Sequence, residues 1–157
     1  MYQPLAKLHF ENQDLIRRLT EGLNREAHFL PYAPATFIGF RNGAYLQLSV
    51  STKLNEAGQS SRYKLAALAF DDHVSHLVRS VLEYFPQEAD FDGISFSSIV
   101  HASEGIPPIA VEFYFPFRTM RCFVNYDCTG QQLIDSGTVV INGERAALDL
   151  QVAEGKN

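Results

Sequence analysis

The stretch that decides the fold is residues 71–86, DDHVSHLVRSVLEYFP. Its large apolar side chains recur at the i, i+3, i+4, i+7 spacing of one helical face: Val74, Leu77, Val78, Val81, Leu82 and Phe85. Asp72 is a suitable N-cap, and Pro86 is a stop signal. Because ordering a backbone of this length costs more free energy than the stripe can recover alone, we expect the helix to exist only when it is docked on a sheet.

An earlier helix is predicted from Asn12, its candidate N-cap, to about His28. Its apolar positions repeat with helical period: Leu15, Ile16, Leu19 and Leu23. Pro31 and Pro34 disfavour helix and predict a loop after it. The first strand is therefore expected at residues 36–40, TFIGF.

Two Asn-Gly pairs lie between β-rich runs, at Asn42–Gly43 and at Asn142–Gly143. Such a pair is the strongest short-range signal of a hairpin, because a type I′ turn needs positive φ at both central residues. After the first pair, Tyr45 alternates with apolar residues, namely Leu46, Leu48 and Val50. This alternation predicts a strand with one solvent-exposed face and one buried face.

Residues 62–70, RYKLAALAF, suit a helix by composition and a strand by position. The helical periodicity favours the strand. In a single helix through residues 62–85, the face that holds Leu65 would also hold the polar Asp72 and His76. We therefore predict a break near Asp71 and a strand over 62–70.

The second half of the chain is rich in strand signals. We predict strands at residues 94–103, 109–117 and 121–127, followed by a second hairpin built on TVVI and ERAALDLQV. In IAVEFYFPF, Glu112 and Tyr114 point away from an apolar face formed by Val111, Phe113, Phe115 and Phe117. Pro116 indicates an edge position or a bulge.

These elements predict a single α+β domain over residues 1–157, with 154–157 as a disordered tail. The expected architecture has two layers: a mostly antiparallel sheet of about seven or eight strands and two main helices, in the order α-β-β-β-α-β-β-β-β-β. This order resembles that of secretion-chaperone-like folds, which would imply an acidic subunit that dimerises and binds another protein.

Composition narrows the classes of function. The chain is 46% hydrophobic and 20% charged and carries a net charge of −5, so a phosphate backbone or an anionic lipid surface is a poor partner. No run of apolar residues has the length of a membrane span, and the start lacks a signal-peptide pattern. We expect a cytoplasmic protein that binds neither nucleic acid nor membrane.

Histidines provide the first candidate chemistry. His73 and His76 lie three residues apart on the predicted helix, and a metal site would need a third ligand such as His101 or His28. His76 points nearly opposite to the apolar stripe, so the favoured interpretation is a capping Asp72 with two surface histidines. No cofactor is expected, and His73, His76 and His101 stay as metal candidates.

Cys122 and Cys128 are too few and too widely spaced for a redox or zinc motif. Within one extended strand they would lie roughly 20 Å apart, so only a turn between them could bring them together. We interpret them as structural cysteines.

The remaining site candidates are Glu112, Tyr114, Arg118 and Arg121. Glu112 could sit in a semi-enclosed site, and arginines beside aromatics can grip an acidic ligand, although on a strand Arg118 and Arg121 would face opposite sides. Phosphate-loop, zinc-protease and nucleophile-elbow motifs are absent from the sequence.

Two functions remain open. The preferred hypothesis is a non-catalytic binding module, a homodimer or partner of another protein that uses its sheet face or an edge strand. The alternative is a small-ligand binder or enzyme with a pocket between helices and sheet, which would use His73, His101, Glu112 or Tyr114.

Overall fold

The computed structural model describes residues 5–26, 29–54, 61–85, 89–103 and 105–151. The helices span Leu5–Glu11 (α1), Gln13–Leu23 (α2), Arg62–Ala69 (α3), Ser75–Leu82 (α4), Phe117–Val124 (α5) and Gly130–Ser136 (α6), and a π turn at Phe70–Val74 joins α3 to α4. The strands span Pro31–Phe40 (β1), Gly43–Lys53 (β2), Gly93–His101 (β3), Ile109–Pro116 (β4), Thr138–Ile141 (β5) and Glu144–Ala146 (β6). The predicted α+β class is confirmed, and the predicted tail lies outside the described residues.

The strands form one sheet in chain order, from β1 to β6. β2 and β3 are parallel, and every other neighbouring pair is antiparallel. The parallel pair arises because its connection is a helical crossover, α3 to α4, rather than a hairpin. The mostly antiparallel character is confirmed, but the predicted strand count is too high because residues 62–70 and most of 121–127 are helical. The prediction of two main helices is too low, because α1, α3, α5 and α6 lie outside the two predicted helices.

The chain from Arg62 to Leu82 is one continuous helical segment, so the strand predicted over 62–70 is wrong. Ser61 begins the segment, because its Oγ accepts a hydrogen bond from the backbone N–H of Lys64 at 3.1 Å. The predicted order of elements, which resembles that of secretion-chaperone-like folds, includes a strand over 62–70. Because these residues are helical, that resemblance does not hold.

The π turn at Phe70–Val74 explains the phase problem of the sequence. A π turn inserts one extra residue into a helix, so the stripe of α3 and the stripe of α4 both face the sheet. Leu65 before the turn is 2% exposed, and Val78 and Val81 after it are fully buried. The predicted break near Asp71 is therefore wrong, and Asp72 lies inside the π turn rather than at the N-cap of a helix.

The N-terminal helix is divided at Asn12. The side chain of Asn12 does not cap α2; its Nδ2 donates to the carbonyl oxygen of Leu8 at 2.9 Å. α2 ends at Leu23, earlier than predicted, and His28 lies outside the described residues. Leu8 and Leu19 are fully buried, so both helices dock on the core.

β1 begins at Pro31, within the stretch that was predicted to be a loop. Its pairing with β2 shifts register between Pro31 and Ala33 and again between Ala33 and Thr36. β1 is an edge strand, and prolines are tolerated there because one side of the strand needs no ladder hydrogen bonds.

Both predicted hairpins are present. In the first, Phe40 pairs with Gly43, and the positive φ values lie at Arg41 and Asn42, one residue earlier than expected. In the second, Asn142–Gly143 occupies the positive-φ positions as predicted.

β4 is a central strand between β3 and β5, so the edge position inferred from Pro116 is wrong. Pro116 pairs with Gly93 of β3 and lies beyond Tyr114, the last residue of β4 that pairs with β5. The chain then turns directly into α5 at Phe117, which replaces the strand predicted over 121–127.

One apolar core fills the space between helices and sheet. Phe96, Phe113 and Phe115 are fully buried, and the ring of Phe70 lies 5.9 and 6.0 Å from those of Phe113 and Phe115. Every helix contributes to this one core, through Leu8, Leu19, Leu65, Val78, Met120 and Leu133. Within the described residues the opposite side of the sheet has no helical layer, and we call it the open face.

Candidate functional site

The open face consists of the strand side chains that point away from the core, among them Tyr45, Gln47, Ser95, Ser97, Glu112 and Tyr114. Paired residues of neighbouring strands share a face. The register therefore places Gln47, Ser95 and Tyr114 in one row and Ser97 beside Glu112 in the next. Glu112 and Tyr114 thus lie together on the side that the sequence pattern predicted.

Three aromatic rings meet on this face. Phe40 stacks on Tyr114 with 3.8 Å between ring centroids and 9° between planes. Tyr45 packs edge-on against both rings, with centroids 6.2 Å from Phe40 and 5.6 Å from Tyr114. Tyr114 is only 5% exposed, whereas Phe40 and Tyr45 are half-buried and present apolar area at the surface.

The hydroxyl of Tyr114 donates a hydrogen bond to Oε1 of Glu112. Burial, the hydrogen bond to this carboxylate and its negative charge raise the pKa of Tyr114 well above its usual range, against a smaller opposing effect of Ser95. The pKa of Tyr45 is also raised, by burial and by the charge of Asp92. Both phenols therefore stay neutral at physiological pH and act as hydrogen-bonding groups.

Polar groups extend across the middle of the face. Nε2 of Gln47 donates to Oγ of Ser95 at 3.4 Å, and the hydroxyls of Tyr32 and Ser97 are 3.2 Å apart. Tyr32 belongs to the edge strand β1 and reaches over β2 to make this contact. The open face therefore combines a polar centre with aromatic groups on two sides.

The histidine candidates do not converge. His73 is 6% exposed and lies in the π turn, so it is not the surface histidine that was predicted. His76 is exposed on α4, and His101 is exposed on β3 opposite Lys53. The described residues contain no group of three or more His, Cys, Asp or Glu side chains placed to hold a metal ion.

A buried polar chain links the sheet to the π turn. Oγ1 of Thr52 lies 2.7 Å from Nδ1 of His73 and 2.6 Å from Oγ of Ser98. A cavity of about 230 Å³ opens beside Thr52 and His73. Sequence reasoning missed this cluster, because its members come from β2, β3 and a helix and share no spacing signal.

Arg118 and Arg121 lie on α5, so the expectation that they face opposite sides of a strand is wrong. On a helix, residues three apart are neighbours. Arg118 is exposed, whereas Arg121 is half-buried and donates to the carbonyl oxygen of Phe85 at 3.4 Å.

Cys122 and Cys128 are joined by a disulfide, with 5.3 Å between their Cα atoms. The end of α5 and the turn after it bring them together, and the backbone N–H groups of Asp127 and Cys128 both donate to the carbonyl of Cys122, at 2.9 and 3.1 Å. Both cysteines are half-buried, and Tyr126 in the same turn has a φ of 63°.

The described elements form a two-layer α+β fold with one sheet face left uncovered by the described helices. No protein-family model, curated protein or solved structure matches the chain. Among the described helices, none combines the length and the apolar character that crossing a membrane would require.

Proposed function

We propose that this chain is a non-catalytic interaction module that forms a homodimer through its open face. The observation that carries the proposal is the stack of Phe40 on Tyr114, with Tyr45 edge-on, on a sheet face without a helical layer among the described residues. Aromatic side chains that remain partly exposed on such a surface are typical of protein contacts. The binding partner of this face is a second copy of this chain.

The size of the open face suits a dimer contact. The six strands of the described residues, three to eleven residues long, present a face of roughly 700 Å² at about 4.8 Å between strands and about 3.3 Å per residue. A standard interface buries about 800 Å² per partner. Two open faces packed together would therefore be close to the area that a specific dimer needs.

The pattern of side chains is compatible with self-association. A two-fold axis parallel to the strands, between β3 and β4, would lay Glu112 over Ser97 of the second copy. Glu112 would then face a hydroxyl group rather than another carboxylate. Oε1 of Glu112 accepts from Tyr114, and the described residues supply no partner for Oε2, so this oxygen is available to the second copy.

Ile99 would be central to this contact. It is half-buried on the open face, and the residues beside it in the register are the small Ser51 and Ala110. Its side chain therefore stands above its neighbours. In the arrangement described, Ile99 of each copy packs against Ala110 of the other.

The edge strands of the sheet, which are the other predicted contact, have less support than the open face. β1 carries Pro31 and Pro34 and two register shifts, and β6 has only three residues. Prolines, bulges and short strands blunt sheet edges and disfavour strand addition.

A pocket between helices and sheet has less support. Phe96, Phe113 and Phe115 occupy that space, whereas Glu112 and Tyr114 lie on the other side of the sheet from His73.

The cytoplasmic location also stays a proposal. It rests on composition, and the disulfide between Cys122 and Cys128 is the observation against it, because the cytosol keeps thiols reduced.

Sedimentation equilibrium at micromolar concentration tests the dimer. We expect the mass of a dimer for the wild type and of a monomer for Ile99→Glu, because a carboxylate would be buried without a partner. His76→Glu, which adds the same charge on the exposed side of α4, is the matched control and should stay dimeric.

A monomeric wild type overturns the proposal. A dimer that Ile99→Glu leaves intact refutes the open face as the contact. Circular dichroism of each variant shows whether the fold is retained, and Gln47→Arg gives a second disruption of the same face if Ile99→Glu does not fold.

A further inference from the structure

A groove between α4 and the end of α5 has a different chemistry from the open face. Its volume is about 480 Å³, within the usual range for small-molecule sites, and Arg79, Arg121 and Tyr126 line it. We propose that this groove binds an organic anion, a carboxylate, sulfonate or phosphate ester carried on an apolar body.

Arg79 is the centre of the proposed site. Its guanidinium carbon lies 4.8 Å from the ring centroid of Phe123 and 4.5 Å from that of Tyr126, so two aromatic rings hold it. Nη1 donates to the carbonyl of Val124 at 3.2 Å. Among the described residues Arg79 has no carboxylate partner, so most of its five N–H donors remain for a ligand.

A second guanidinium adds to the positive charge. Arg121 lines the same groove, donates to the carbonyl of Phe85 and lies 5.3 Å from the ring centroid of Phe117. Glu83 is the carboxylate among the lining residues, and it is exposed. Among the described residues Arg79 carries a guanidinium without a carboxylate partner, and its charge makes the groove attractive to an anion although the chain as a whole is acidic.

The remaining walls are mixed, with the polar Asn125 beside three apolar residues. Leu82 and Phe85, at 8% and 4% exposed, form the side contributed by the end of α4, and Val124 contributes from α5. Tyr126 stands at the rim with 82% of its surface exposed. These surfaces suit a ligand with an aromatic or aliphatic body rather than a bare inorganic ion.

The disulfide positions the aromatic rim. Tyr126 lies in the turn between Cys122 and Cys128, and the bond between these residues closes that turn on the end of α5. Tyr126 is therefore held against the guanidinium group of Arg79.

Fluorescence titration with anilinonaphthalene sulfonate, an aromatic anion, tests the site, followed by displacement with benzoate and with uncharged benzyl alcohol. We expect saturable binding to the wild type that benzoate displaces and benzyl alcohol does not. Arg79→Gln should weaken binding by about tenfold or more, as loss of a charge-assisted hydrogen bond predicts. Arg118→Gln, an exposed arginine on the same helix, is the matched control and should bind like the wild type.

Equal displacement by both competitors, or equal binding by both variants, overturns the proposal, because the probe would then report apolar surface alone. Arg79→Lys provides an independent test if Arg79→Gln does not fold: it keeps the charge but loses the planar group that stacks on the two rings, so it should also weaken binding. The open-face variant Ile99→Glu should retain the part of the probe signal that benzoate displaces, which separates this site from the dimer contact.

Discussion

Thr52 and His73 are hydrogen-bonded across the interface between sheet and helices, with 2.7 Å between Oγ1 and Nδ1. Ser98 on the next strand contacts the same Thr52 hydroxyl at 2.6 Å. Thr52 is 2% exposed and Ser98 is fully buried. Because buried polar groups need partners, this chain of contacts ties the π turn to β2 and β3.

Thr52→Val removes the shared hydroxyl and keeps the shape of the side chain. We expect a loss of about 1–3 kcal/mol in the free energy of unfolding, because the side chains of His73 and Ser98 lose a buried partner. Urea denaturation measures it. The control is Thr138→Val on the open face of β5. An equal effect of both variants would show that the buried hydrogen bonds of Thr52 do not add to stability.

The raised pKa of Tyr114 predicts that the free energy of unfolding falls at alkaline pH. Its pKa is raised in the folded state by burial and by Glu112, so the folded protein keeps the phenolic proton when the unfolded chain, with a pKa of about 10, releases it. The resulting stabilisation is complete below about pH 10 and is lost as the pH rises further. Tyr114→Phe should therefore lose stability less steeply in alkali than the wild type.

Urea denaturation over a series of alkaline pH values measures this difference. Tyr126→Phe, which removes an exposed phenol, is the control and should follow the wild type. Parallel curves for wild type and Tyr114→Phe would contradict the expected contribution.

The disulfide should contribute measurably to stability. Closing the short loop between Cys122 and Cys128 restricts the unfolded chain and is worth about 2 kcal/mol in the chain-entropy model. Dithiothreitol should lower the free energy of unfolding of the wild type by about this amount. The double variant Cys122→Ala, Cys128→Ala should not respond to the reductant.

Thiol counting provides a second check. The folded oxidised protein should show no free thiol, and two should appear after reduction, since the chain has two cysteines in all. Two reactive thiols before reduction would mean that the bond does not form under those conditions.

Gly93→Ala should be more damaging than Gly22→Ala. A Cβ at Gly93 would lie 2.1 Å from the carbonyl oxygen of Phe115, which is backbone in a central strand and cannot move aside. At Gly22 the nearest atom is the hydroxyl of Tyr84, the far end of a side chain that can rotate away. We expect about 1–3 kcal/mol of destabilisation at Gly93, measured by urea denaturation, and a smaller effect at Gly22. The reverse order would contradict the close approach of β3 and β4.

Local patterns predicted several elements correctly. The stripe of Val78 and Val81 faces the core, Glu112 and Tyr114 share the other side of β4, and Asn142–Gly143 turns the last hairpin. Each of these predictions depends on a local rule: the period of a helix, the alternation of a strand or the φ preference of a turn. Tertiary contacts did not override these rules.

The errors have identifiable causes. The strand predicted over 62–70 is wrong because helical periodicity changes at a π turn, which the pattern of apolar residues does not reveal. The start of α6 is visible in the sequence: Thr129 and Gln132 form a capping box, with reciprocal hydrogen bonds of 3.1 and 2.8 Å. The aromatic run after Pro116 has β-propensity, but its position against the core makes it helix α5.

By itself, the sequence determined the α+β class, the buried faces of the main elements and the acidic charge of the chain, because composition and periodicity are properties of neighbouring residues. Only the tertiary structure decided which distant side chains meet: Phe40 with Tyr114 on the open face, and Arg79 with Tyr126 in the groove. The reason is physical. These contacts depend on strand order, on the parallel crossover and on the turn that the disulfide closes, and no local preference of the chain specifies them.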